Sequence, residues 1–160
     1  KRHLDAFTIY IFLLIISTSV IINGVPEYNF INFITYLFVH ILLIYLSVYY
    51  FKLSIYFVFF IIGIILDIFL LNEFGPHLLT FMLLIFLIKK LHKFMNTLTS
   101  HNIFFLMTFI LIASLIFEMV LCLMFFNYSF NTSVFLKNTV FGLLIPYPIF
   151  YLFNKIDKFG

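Results

Sequence analysis

Phe60-Ile-Ile-Gly63-Ile-Ile-Leu-Asp67-Ile-Phe-Leu-Leu-Asn72-Glu73-Phe-Gly75-Pro76-His77-Leu-Leu79 holds the end of one apolar run, a turn, and the start of the next run. Gly63 and Asp67 stand one helical turn apart on one face, so the glycine lets a neighbouring backbone come close beside the carboxylate. Gly75 and Pro76 make the turn, with proline where a helix begins and its missing N–H costs nothing. His77 then opens the next helix near the level of Asp67. An ionisable group inside lipid costs about 2.5–3.5 kcal/mol at a helix centre, so Asp67 asks for an explanation. Gly63, Asp67, Gly75 and His77 are either a site or the means of building a tight hairpin, and these residues alone leave both readings open.

The same alternation of apolar run and short turn continues in both directions. The chain is 65% hydrophobic and 9% charged, with a mean hydropathy of +1.22, whereas a soluble domain carries about 25% charged residues. That excludes a water-soluble fold and predicts an all-α membrane protein, residues 1–160 forming a single polytopic domain. About 20 apolar residues cross the hydrocarbon core as a helix. Six segments fit, at about 6–22, 30–51, 54–71, 77–91, 103–126 and 133–153. The fourth is the weakest, because it borrows Lys89 to Leu91, with the lysines reaching back to the interface. The run from Ala6 to Ile22 follows Lys1 and Arg2 but lacks a small-residue cleavage site, so it reads as a membrane helix and not a secretory signal. With no Trp in the chain, Tyr is expected to supply the interfacial aromatics.

Charge sets the expected orientation. Lys1, Arg2, Lys52, Lys89, Lys90, Lys93, Lys155 and Lys158 fall on one side of six spans, and only Lys137 on the other. The positive-inside rule then predicts that both termini are cytoplasmic. The opposite side has three short loops, Asn23–Asn29 with Pro26 and Glu27, Asn72–Pro76, and Asn127–Thr132. A partner on that side must meet the helices near their ends or within the membrane. The Lys89–Lys93 turn is attracted to anionic lipid, and the basic residues do not form a nucleic-acid patch.

Glu118 is the second carboxylate inside an apolar run. At 1.5 Å per residue, Asp67 lies roughly 22 Å along its span from Lys52 and Glu118 roughly 25 Å from His101. Equal depth lets the two acids approach and share a proton, as a proton- or cation-responsive site, or lets each bond a nearby helix and fix packing. Lys137 is a candidate partner for either. His40, mid-span, reads as hydrogen-bonding glue between helices, because no second His or Cys stands at metal-ligand spacing. Cys122 reads as a packing residue. Pro146 and Pro148 each remove a backbone bond late in the last span and bend it, freeing carbonyls near residues 142 and 144. No phosphate loop, nucleophile elbow, HExxH or water-facing domain is present, so the chain does not read as an enzyme and calls for no cofactor or metal.

The order Gly63-x-x-x-Asp67, Gly75, then a span carrying Glu118, then Gly142-Leu-Leu-Ile-Pro146-Tyr-Pro148 resembles the rod shape-determining protein MreD family. Asn72 and Glu73 depart from the small residues common in that family's turn. The resemblance implies a non-enzymatic, multi-pass protein of the bacterial inner membrane, in the elongation complex that couples cell shape to peptidoglycan synthesis. Its implied partner is the membrane-anchored MreC, with indirect links to MreB and to RodA with its penicillin-binding protein, alongside membrane lipids and with self-association left open. It also implies a fold similar to the substrate-binding subunits of energy-coupling-factor transporters. Two functions are therefore weighed, a scaffold in which Gly63, Asp67, Gly75, His77, Glu118, Pro146 and Pro148 act structurally, and a transporter subunit binding a small solute in an outward cavity lined by Asp67, Glu118 and His40. The scaffold reading expects Asn or Gln in place of the acids to be tolerated wherever hydrogen bonding is preserved.

Overall fold

The computed structural model describes residues 2–24, 29–71, 75–126 and 131–159. Pro26, Glu27, Asn72, Glu73 and most of the Asn127–Thr132 loop lie outside them. Among the described residues the chain is helical, with no strand: α1 Arg2–Ile22, α2 Asn29–Tyr49, α3 Leu53–Leu66, α4 Pro76–Met95, α5 Ser100–Phe126, α6 Thr132–Leu144 and α7 Pro146–Phe159. A π-helical turn, Asp67–Leu71, extends α3. This follows from lipid as solvent, where a helix is one of the few ways to satisfy every backbone N–H and C=O internally. Phe109 is 70% exposed, and Phe12, Phe57 and Met124 are similarly bare. Water would oppose such a surface; acyl chains do not.

Among the described residues four helical segments are long and apolar enough to cross a membrane: Phe30–Tyr49, Leu53–Leu71, Ser100–Phe125 and Thr132–Lys158. Ala6–Ile22 is a shorter apolar helix. The fourth helix runs for 20 residues, but its last part carries Lys89, Lys90 and Lys93, which accords with its reading as the weakest span.

α2 is the central rod. Ile41 to Leu46 are all buried to within 1%, and α2 packs on α1, α4, α5 and α7. The closest hairpin is α3 against α4. A Cβ added at Gly63 would stand 2.8 Å from the Leu78 Cα, so only glycine permits this approach. α6 starts at Asn131, whose side chain accepts from the N–H groups of Ser133 (3.0 Å) and Val134 (3.4 Å).

One segment differs from expectation. The stretch 133–153, read as one bent span, is divided into α6 and α7 at Ile145. Pro146 and Pro148 lack the N–H groups that Gly142 and Leu144 carbonyls would accept from, and their rings crowd the preceding turn. Flanking bonds survive, from Ile145 N–H to Phe141 O at 3.0 Å and from Ile149 N–H to Ile145 O at 3.4 Å, so the two helices follow one another.

Candidate functional site

Asp67 opens the π-helical turn, and its buried carboxylate faces the start of α4 across the hairpin. Oδ2 accepts from the N–H groups of Gly75 (2.9 Å) and Leu78 (3.0 Å); Oδ1 accepts from His77 N–H (3.0 Å) and lies 2.8 Å from His77 Nδ1. The first N–H groups of a helix have no partner within it, and together they carry a partial positive charge. Pro76 has no N–H to satisfy, so one carboxylate serves the remaining donors around it. Asp67 therefore caps α4 from the end of α3, and Gly63 one turn earlier provides the approach that makes the reach short.

The cluster continues beyond the hairpin. His77 Nε2 is 3.2 Å from Glu118 Oε1 on α5, and Glu118 Oε2 is 3.1 Å from His40 Nε2 on α2. His40 Nδ1 is 3.0 Å from the Tyr36 carbonyl. The result is one continuous chain, Asp67–His77–Glu118–His40–Tyr36 O, that ties α3, α4, α5 and α2 together. All four ionisable residues are buried. The rings of Tyr36 and Phe81 lie 4.6 and 5.0 Å from the His40 ring and 5.9 and 6.5 Å from that of His77, which closes the sides of the chain with apolar edges.

Several expectations are corrected by this arrangement. Asp67 and Glu118 do not meet; His77 stands between them, hydrogen-bonded to Asp67 and with Nε2 3.2 Å from Glu118. His40 is not a lone histidine but the far end of the chain. Lys137 is exposed on α6 and pairs with neither acid. Pro146 is buried and Pro148 exposed at the α6–α7 break, beside Tyr147, whose hydroxyl is 2.8 Å from His101 Nδ1 at the start of α5; the prolines shape that break and stand apart from the ionisable chain. Among the described residues no group of three or more His, Cys, Asp or Glu is arranged to hold a metal ion.

A second polar centre was not anticipated. The Asp157 carboxylate on α7 accepts from three tyrosine hydroxyls: Tyr10 of α1 at 2.9 Å, Tyr45 of α2 at 2.5 Å and Tyr50 after α2 at 2.8 Å. Tyr10 also donates to the Phe153 carbonyl at 3.2 Å. Tyr10 and Tyr45 are buried donors, with ring centroids 5.4 Å apart in an edge-on pair.

Beside the first chain, an apolar groove of about 360 Å³ runs between α4 and α5, lined by Thr80, Leu83, Leu87, Ile110, Ser114 and Phe117 among others. None of the four ionisable residues lines it.

No curated protein and no solved structure matches this chain. The family model described as rod shape-determining protein MreD matches residues 1–156. With Gly63, Asp67 and Gly75 building the capped hairpin from which the resemblance was read, and with apolar helices able to span a membrane, the chain belongs to the MreD family of rod shape-determining membrane proteins.

Proposed function

We propose that this protein is a non-enzymatic scaffold of the bacterial inner membrane, with six spans and both termini cytoplasmic, that binds MreC and helps couple MreB to peptidoglycan synthesis by RodA and its penicillin-binding protein. Membership of the MreD family carries this reading. The placement of the charges supports the orientation, since Lys52, Lys89, Lys90 and Lys93 flank the α2–α3 and α4–α5 turns, opposite the Asp67-capped turn. Between helices in lipid there is no hydrophobic drive, and association rests on close packing and a few hydrogen bonds. A bundle whose ionisable groups bond one another offers a rigid surface for a partner helix.

A fold similar to the substrate-binding subunits of energy-coupling-factor transporters belongs to the same proposal. The transporter function is the weaker reading, because a solute that used Asp67, Glu118 or His40 would first have to break bonds these groups already make to each other.

The test is co-purification of the intact chain in nanodiscs with the MreC homologue of the same organism, beside Gly63→Leu. A stable complex that Gly63→Leu abolishes is the expected result. No complex with a folded, monodisperse protein overturns the partner assignment.

A further inference from the structure

The geometry of the buried chain fixes how many protons it holds. A carbonyl oxygen only accepts, so His40 Nδ1, 3.0 Å from Tyr36 O, carries a proton. Three backbone N–H groups already point at Asp67, which is therefore an acceptor at both oxygens, and His77 Nδ1 carries the second proton. The contact from Glu118 Oε2 to His40 Nε2 is a hydrogen bond and needs one proton, whereas His77 Nε2, 3.2 Å from Glu118 Oε1, lies within ion-pair distance of it without hydrogen-bond alignment. Three hydrogen-bonded contacts thus hold three protons, which with two carboxyls and two imidazoles leave one net negative charge, beside the N–H groups at the start of α4 that point at Asp67. Moving a proton along a contact does not change the sum.

Losing one more proton adds a second negative charge, at Glu118 and His40. Among the described residues no lysine or arginine pairs with Glu118 to offset it. α2 contributes His40 and the Tyr36 carbonyl, α4 His77, the turn after α3 Asp67, and α5 Glu118 with the Cys122 thiol one turn on; α6 presents Lys137 outward, and the Asp157 carboxylate of α7 is taken by its tyrosines.

The three protons are not placed alike. His77 Nδ1 hydrogen-bonds the Asp67 carboxylate at 2.8 Å. His40 has one carboxyl and one carbonyl. The proton most readily given up is the one between Glu118 and His40, and the Glu118 side chain, at 9%, is the most exposed of the four. Its departure to a water-borne base leaves the His40 lone pair 3.1 Å from a carboxylate oxygen, with no hydrogen between them.

We propose that the Glu118–His40 contact is a proton-operated latch between α2 and α5, closed when it holds its proton and released when that proton leaves. The latch requires no partner, so it stands or falls separately from MreC binding. One proton is lost on opening, so the opening equilibrium shifts about 10-fold per pH unit toward the open form as pH rises.

Glu118→Gln tests it, because an amide reproduces the protonated carboxyl: its NH2 donates to His40 Nε2, its oxygen takes the place of Oε1, and it has no proton to lose. The full chain in nanodiscs, with Cys122→Ser and spin labels at Ile31→Cys and Met124→Cys, reports the α2–α5 separation from pH 5.5 to 9. A longer-distance population that grows with pH with a one-proton slope, and is absent in Glu118→Gln, is the expected result. Separations independent of pH in the parent, or an equal response in Glu118→Gln, overturn the latch. Where Glu118→Gln does not fold, ring-nitrogen NMR of His40 with infrared reading of the Glu118 carboxyl finds whether their contact holds its proton in the parent at pH 5.5. A proton there supports the closed latch; none overturns it.

Discussion

Replacing Asp67 by Asn and Glu118 by Gln removes the same atom type from two buried acids, yet the contacts predict opposite outcomes. Both Asp67 oxygens are acceptors, taking three backbone N–H groups and His77 Nδ1. Asn offers one oxygen and one NH2: facing Gly75 and Leu78 the NH2 opposes two N–H groups, and facing His77 it opposes the backbone N–H and, unless the ring proton moves to Nε2, the Nδ1–H as well. Two charge-assisted bonds are lost, each worth about 1.5–3 kcal/mol, and the unfolded chain in lipid finds substitute partners that offset part of the loss. A net destabilisation of about 3 kcal/mol remains, somewhat over 100-fold in the folding equilibrium. Glu118 instead touches one histidine with each oxygen, and Gln serves both, so its cost stays within about 1 kcal/mol. Denaturant titration of the two variants in matched lipid bilayers measures the difference. Equal losses, or a larger loss for Glu118→Gln, would refute the assignment of Asp67 as an acceptor at both oxygens. The general expectation that neutral replacements are tolerated thus holds only where bonding is preserved, which it is at Glu118 and not at Asp67.

Other predictions follow from single contacts. Gly63→Ala places a methyl 2.8 Å from the Leu78 Cα and should cost about 1–3 kcal/mol by overpacking, read as a lowered thermal midpoint; a neutral result would mean that α3 and α4 are not held this close. Asp157→Ala leaves the Tyr45 and Tyr50 hydroxyls without their acceptor and Tyr10 with the Phe153 carbonyl alone, and should destabilise by about 3 kcal/mol, whereas Tyr50→Phe should cost about 1 kcal/mol in the same unfolding assay.

Sequence alone determined the solvent and the element type, since 9% charged residues cannot cover a soluble surface and lipid allows a single chain of apolar runs little besides helices. It also made the Asp67 hairpin legible, because Gly63, Asp67, Gly75, Pro76 and His77 lie within two turns and a loop, where helical spacing and cap chemistry dictate contacts locally. The proline break was readable as a distortion, while its outcome, two helices parted at Ile145, depended on how α7 seats against α5. Depth along a helix placed Asp67 and Glu118 at one level but carried no information about rotation around the bundle, so the histidine between them appeared only once α2, α4 and α5 were packed. The Asp157 centre joins residues 107 to 147 positions apart; no spacing rule reaches that far, and only the tertiary structure, by crossing α1, α2 and α7 at one end, decided that three tyrosines would share one carboxylate.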